Sequence, residues 1–424
     1  MNTFDLWAII ITLTAVFGYL NYRLLKLPSS SGIFALTLAT SLLLLAVDFV
    51  LPSYHLKTNI AAALNQFDFS TTLLHGTLCF LLFAGAWNVN WENFRQNRRV
   101  IVLLAVVGVL ISTFVIGVLA WLLFALLGLS ISLVGCLIFG ALISPTDPIS
   151  VLGLLKKLNA PMGLEAQIAG ESLFNDGVGV VAFFAFLSLA GLDTNAEAAH
   201  IHFKASSLSV FFLREMAGGI ILGLIFGYVA FAALRTINHP SLELLITLAT
   251  VMSMYTVSFW IDVSGPIAVV VAGILIGNYG RRHAMSEPTA EHINAFWEMI
   301  DYILNSALFL LLGLELFVIH IDKTSLYAAL LIIPIVLAGR WVSVGLPIGL
   351  ISLRAPMQKG LIPILTWGGL RGGISVAMVL SLPSFAAKDM LVSCTYAVVL
   401  FSVMVQTLTM KPLLQRYGIC QEAP

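Results

Sequence analysis

The chain has 424 residues, 59% of them hydrophobic and only 10% charged, with a formal net charge of zero and a mean hydropathy of +1.00. A soluble domain is about 25% charged, so this chain cannot present an ordinary water-facing surface. The charge balance gives no ground for a nucleic-acid partner or a strongly acidic one.

Apolar runs of about 20 residues recur along the whole chain, each long enough to cross roughly 30 Å of hydrocarbon. They are continuously apolar rather than alternating, which predicts spanning helices and not a β-barrel. In chain order the expected spans are about 4–22, 32–52, 69–88, 99–126, 129–155, 161–190, 208–234, 241–261, 265–279, 293–320, 325–352, 358–383 and 387–410, about thirteen in all. The start has no basic leader and carries Asp5, which predicts a retained first helix rather than a cleaved signal. The loop near 191–207 and the tail from Lys411 to Pro424 are short, so residues 1–424 are expected to form one transmembrane unit without a soluble C-terminal domain.

Orientation is read from Lys and Arg. One set of loops carries fourteen of them, including Arg95, Arg98, Arg99, Lys156, Lys157, Arg281, Arg282 and Lys411. The other set carries five: Lys57, Lys204, Arg214, Lys323 and Lys388. The basic side is expected to be cytoplasmic, with the N-terminus outside and the C-terminus inside. That requires an odd number of spans, which thirteen satisfies.

Two expected spans are interrupted in the middle. Ser144-Pro-Thr-Asp-Pro-Ile-Ser-Val breaks the fifth and Gly369-Leu-Arg-Gly-Gly-Ile-Ser-Val the twelfth. An odd number of crossings separates them, so they are expected to run in opposite directions as an inverted repeat. Paired broken helices point to a transporter site at the midplane. Pro145 and Pro148 each lack an amide hydrogen and clash with the preceding turn, so the backbone between them should leave the helix. That frees carbonyls such as that of Thr146 to coordinate a cation. Asp147 can compensate the positive end of one half-helix and Arg371 the negative end of another. Capping alone also accounts for both residues.

Ionisable groups in hydrocarbon are costly and are functional hypotheses by default. In the sixth span, Gly170-Glu-Ser-Leu-Phe-Asn-Asp-Gly, Ser172 and Asp176 are four residues apart and share a face. A hydroxyl and a carboxylate there begin a hard oxygen cage for a small cation. Glu171 and Asn175 form a second such pair on a neighbouring face. Arg340, in the eleventh span, needs a partner. Glu171 is the expected one, with a second proton-carrying role for Glu171 as the alternative. In the tenth span Glu298 and Asp301 either line a funnel that attracts cations or mark a solvated helix end, and Glu315 falls near the outer end. Cys79, Cys136, Cys394 and Cys420 are scattered without metal or disulfide spacing and read as packing. His75 also reads as packing, and His200 and His202 as loop residues. There is no phosphate-binding glycine loop and no Ser/His/Asp motif, so an ATP-driven pump, a membrane hydrolase and a bound cofactor are not expected.

Ser144-Pro-Thr-Asp-Pro, Gly170-Glu-Ser-Leu-Phe-Asn-Asp-Gly, Gly339-Arg340 and Trp367-Gly-Gly-Leu-Arg-Gly together resemble the NhaP-type monovalent cation/proton antiporters of the sodium/proton exchanger family, over essentially the whole chain. The resemblance implies a dimerisation domain plus a six-helix core, here drawn mainly from about 69–190 and 293–410, in which the two broken helices cross. It implies Na+, possibly Li+, held by Asp176, Ser172 and the Thr146 carbonyl with water, supported by Asn175. It implies a Glu171–Arg340 pair, a homodimer in the plasma (inner) membrane, an elevator-like movement of the core and electroneutral exchange with H+ in pH homeostasis. Some members carry an acid in the third span in a Leu-Leu-Phe-Glu-Gly context, where this chain has Ala84. Asp176 is then expected to bind a proton or a cation, never both. K+/H+ exchange, a cation channel and a membrane sensor are the competing classes.

Overall fold

Inside hydrocarbon every backbone N–H and C=O must be satisfied by the protein itself, so continuous apolar windows fold as helices. The computed structural model describes residues 3–52, 55–65, 76–158, 160–192, 205–317, 323–353 and 360–418, and no strand occurs among them. The helices are α1 (Thr3–Leu20), α2 (Ser29–Val50), α3 (Leu56–Asn65), α4 (Leu78–Trp87), α5 (Trp91–Leu126), α6 (Leu133–Ile143), α7 (Ile149–Lys157) and α8 (Met162–Leu189). They continue as α9 (Ala205–Leu234), α10 (Pro240–Trp260), α11 (Gly265–Ile274), α12 (Glu287–Leu314), α13 (Lys323–Ser352), α14 (Leu361–Trp367), α15 (Gly373–Leu380) and α16 (Lys388–Arg416). Their starts carry local signals. Asn90, Ser132, His239 and Ser264 each accept a hydrogen bond from the backbone N–H three residues on, which satisfies one of the orphan donors of a helix start.

Nine helical stretches among the described residues are long and apolar enough to cross a membrane, and α4 and α6 are shorter apolar helices. Large apolar side chains such as Phe49, Leu126 and Tyr228 are exposed on the outer surface, as a lipid-facing wall requires. The protein is an all-α polytopic membrane protein. Helix stands on each of the thirteen expected segments, and the fifth and twelfth are each divided into two short helices, α6/α7 and α14/α15. Length and apolarity alone establish nine crossings rather than thirteen. The segment expected at 69–88 is described only from residue 76, and His75, His200, His202 and Cys420 lie outside the described residues. Cys79, Cys136 and Cys394 are free and buried, as the packing reading expects.

Packing gathers the helices into two bundles. In one, α2 and α4 lie against α12, and α9, α10 and α4 surround α11. In the other, α5 packs on α6, α8 and α13, and α13 packs on α14 and α16, enclosing the short helices of both breaks. The helices α4 and α12, which the sequence placed with the core segments, thus pack with the first bundle. Small residues let backbones touch where lipid offers no hydrophobic drive for helix association. Gly140 of α6 is such a point. A Cβ there would collide with the Thr113 carbonyl oxygen of α5 and stand 3.1 Å from the Gly117 nitrogen, so backbone and not a movable side chain blocks it.

Replacing Gly140 with Val should therefore overpack the α5–α6 contact by about 1–3 kcal/mol. Thermal unfolding of the detergent-purified protein is the check. A melting temperature equal to that of the parent would show that the contact is looser than described.

Candidate functional site

The site begins with two places where helix is not possible. Helix α6 stops at Ile143 and α7 starts at Ile149, because Pro145 and Pro148 cannot continue the ladder. Helix α14 stops at Trp367 and α15 starts at Gly373, across a glycine-rich stretch. The two breaks touch: the Asp147 N–H donates to the Leu370 carbonyl at 2.8 Å. Each break brings a charged side chain to a half-helix end. Arg371 Nη1 donates to the Pro145 carbonyl at 2.8 Å and also to the Ser144 carbonyl, the acceptors left by the end of α6. Asp147 Oδ1 accepts the Ile149 N–H at 3.1 Å, at the start of α7. Both residues therefore sit where the dipole argument placed them. Arg371 is 2% exposed.

Helix α8 passes beside the first break. Gly179 allows this, because a Cβ there would run into the Pro145 ring. Ser172 Oγ donates to the Thr146 carbonyl. Asn175 Nδ2 donates to Thr146 Oγ1 at 2.8 Å, and Asn175 Oδ1 accepts the Thr146 N–H at 3.3 Å. Thr146 is thus clamped at its amide, carbonyl and hydroxyl. Asp176 is one turn beyond Ser172, 8% exposed, and its carboxylate accepts no hydrogen bond among the described residues. A hydroxyl that donates one bond keeps its acceptor lone pairs, and a carbonyl that accepts one bond keeps a second. Ser172 Oγ, the Thr146 oxygen and the Asp176 carboxylate can therefore face a cation without breaking an existing bond. One carboxylate with two neutral oxygens suits a monovalent ion better than Ca2+ or Mg2+, which draw on more charge and more ligands.

Asn175, which is fully buried, engages Thr146 through both ends of its amide and so holds the broken backbone. Glu171 is where the residues placed it. Arg340 Nη1 meets its Oε1 at 2.5 Å and Nη2 its Oε2 at 2.9 Å, a bidentate pair with both partners buried. Arg340 Nη2 also donates to the Leu365 carbonyl at 3.1 Å, so the pair ties α8 and α13 to the helix leading into the second break.

A cavity of about 550 Å³ is lined from both bundles, by Thr146, Asp147, Ser172 and Asp176 and also by Asn90 and Lys156. Glu171, Asn175, Arg340 and Arg371 do not line it. Its far wall is α12, which contributes Asp301 and Asn305. The solvated-end reading holds for Glu298, which is exposed and accepts from Asn294 at 2.9 Å. It does not hold for Asp301, which is partly buried and faces the cavity. Glu315 sits at the end of α12. Asn305 was not singled out from sequence, although a polar residue four positions after an acid in an apolar helix is a usable signal. Ala84 is fully buried and does not line the cavity, whereas Leu81, Gly85 and Asn88 of the same helix do. An acid at position 84 would thus start from the core side of α4.

Long apolar helices around two crossed breaks, with a bare carboxylate at the crossing, define a multi-span membrane transporter. The sodium/hydrogen exchanger transmembrane family model matches residues 10–416. The Na+/H+ antiporter NhaP of Pseudomonas aeruginosa is 42% identical over 417 residues, covering 97% of this chain and 96% of that one. The Na+/H+ antiporter NhaH of Halobacillus dabanensis is 36% identical, covering 83% of this chain and 84% of that one. The solved structure of the sodium proton antiporter MjNhaP1 from Methanocaldococcus jannaschii superposes with a TM-score of 0.75 at 17% identity, covering 98% of both chains. The chain belongs to the sodium/hydrogen exchanger family, among its NhaP-type antiporters.

The Glu171–Arg340 pair carries a specific stability cost. Removing one partner leaves the other as an unpaired buried charge, so Arg340→Met should destabilise by about 3–5 kcal/mol. The double variant Glu171→Leu/Arg340→Met should recover part of that loss. Thermal melts of the two variants decide it, and a double variant no better than the single would contradict the pairing.

Proposed function

We propose that the chain exchanges Na+ for H+ across the bilayer, with Asp176 as the carboxylate for which the two compete. The observation that carries this is the state of Asp176. It is buried at the end of an access cavity beside two neutral oxygens, without a hydrogen-bond partner among the described residues. A bare carboxylate in a low-dielectric interior is costly and demands neutralisation by a proton or by a cation. Around the crossing, Arg340 is matched by Glu171, while Arg371 faces the break carbonyls and Asp147 the Ile149 N–H, one buried charge of each sign. Asp176 is left as the charge to be balanced. Either substrate makes the assembly neutral, and the empty form carries the penalty. Loaded carriers can then change sides and empty ones cannot, which yields electroneutral 1:1 exchange. Li+ fits the same oxygens.

The moving unit is taken as the bundle that holds both breaks, sliding in an elevator-like manner against the bundle of α1, α2, α4 and α9–α12. The names of the relatives support Na+ and H+ as substrates. The cavity leads to Lys156, on the side with most of the loop Lys and Arg, so the described state is open to the cytoplasm if the positive side is inside. The same rule places the N-terminus outside and the C-terminus inside. A homodimer in the plasma (inner) membrane follows the family pattern.

The test is flux in acid-loaded proteoliposomes with a pH dye and a clamped potential. The parent protein should move protons on Na+ addition, with a rate independent of the potential. Asp176→Asn should abolish that movement while the protein stays folded. Ser172→Ala should weaken Na+ binding several-fold, as one hydrogen-bond-strength ligand is worth about 0.5–1.5 kcal/mol. Persistent exchange in Asp176→Asn would overturn the mechanism. A second signature is pH. Protonated Asp176 cannot hold Na+, so the apparent KM for Na+ should rise as pH falls, by up to about tenfold per unit where one proton is displaced by one cation. A KM independent of pH between acid and neutral conditions would exclude competition.

A further inference from the structure

The exchange site uses one wall of the cavity, and the opposite wall carries a second set of oxygens. Asp301 and Asn305 stand one turn apart on α12 and both line the cavity. Asn305 Nδ2 donates to Asp301 Oδ1 at 2.9 Å. That bond fixes which end of the asparagine amide is the donor. The carbonyl end is left without a partner among the described residues, although Asn305 is only 6% exposed. Asn305 lines the cavity, so this oxygen is open to a ligand that offers positive charge or a donor proton. The second oxygen of Asp301 accepts no hydrogen bond among the described residues. Asp301 is within electrostatic reach of Asp147 at the break and of Lys156 towards the basic face. It lines the same cavity as Asp176 and Lys156.

We propose that Asp301 and the Asn305 carbonyl form a second, staging position for a hydrated monovalent cation on its way to Asp176, which rests on the exchange reading above. Two hard oxygens, one charged, recognise a small cation without stripping its water. The carboxylate also offsets the repulsion of an incoming cation by Lys156. The position belongs to the bundle of α2, α4 and α12, whereas Asp176 belongs to the bundle with the breaks. Any movement between the bundles parts the two. The staging position thus serves the state open to the basic face and has no role once the site faces the other side. Its effect is one-sided, which separates it from a carboxylate that only braces α12.

Everted and right-side-out membrane vesicles present the two faces separately to Na+, with a pH dye as readout. Asp301→Asn should raise the apparent KM for Na+ at the basic face by about three- to tenfold, the scale of local counter-ion enrichment by one favourable charge, with the change larger in KM than in kcat. The KM at the opposite face should stay within about twofold, and Asp301→Glu should restore the parent value. Asn305→Asp, which keeps the oxygens and adds a charge, should lower the KM at the basic face. A shift of equal size at both faces, or none at either, overturns the staging position. If Asp301→Asn does not reach the membrane, Asn305→Asp decides alone, and an unchanged basic-face KM in that variant overturns it. Failure of the parent protein to exchange Na+ for H+ would sink the underlying reading instead, so the two failures are distinguishable.

Discussion

Between Ser144 and Pro148 the chain leaves the helix inside the membrane, and the carbonyls thereby freed have to be satisfied by protein. Arg371 does this. Its guanidinium reaches across from the second break to the Ser144 and Pro145 carbonyls. The rest of the site depends on that contact. It holds the two breaks against each other, it places Thr146 beside α8, and it lets a bare acidic group occupy the far side of the break without collapse of the helix ends.

The same logic extends outward. Asp147 caps the start of α7, and its own N–H is taken by Leu370 of the other break. Asn175 and Ser172 fasten Thr146 from α8. Glu171 and Arg340 brace α8 against α13 and the helix before the second break. Nearly every polar group at the crossing is therefore committed to structure. Asp176 is the carboxylate there that accepts no hydrogen bond among the described residues, and it lines the cavity. Rigid surroundings and one uncommitted carboxylate are what a competition between two small cations needs. A soft site would rearrange to neutralise the charge internally.

Much of this was legible in the sequence, for physical reasons. The helices followed from apolarity, and the breaks from Pro145, Pro148 and the glycines, because these residues act locally. The Glu171–Arg340 pair followed because a buried arginine cannot stand alone. Other features depend on which faces meet across the fold, which spacing along one helix does not reveal. Asn175 was read with Asp176, and spacing gave no sign that the break passes close enough for its amide to bond Thr146. Position left Asp301 between a funnel wall and a solvated helix end, and the packing of α12 on α2 and α4 puts it on the cavity. Whether α4 and α12 belong with the breaks is decided by their partners and not by their composition.

The central claim is that Na+ and H+ exclude one another on Asp176, and proton release on Na+ binding tests it most directly. Purified protein in weakly buffered detergent solution, held at a pH where the site is protonated, is titrated with Na+ while released protons are counted. The account predicts one proton released per Na+ bound, and none on Na+ addition to Asp176→Asn. Na+ binding without proton release, or undiminished release from Asp176→Asn, would contradict it.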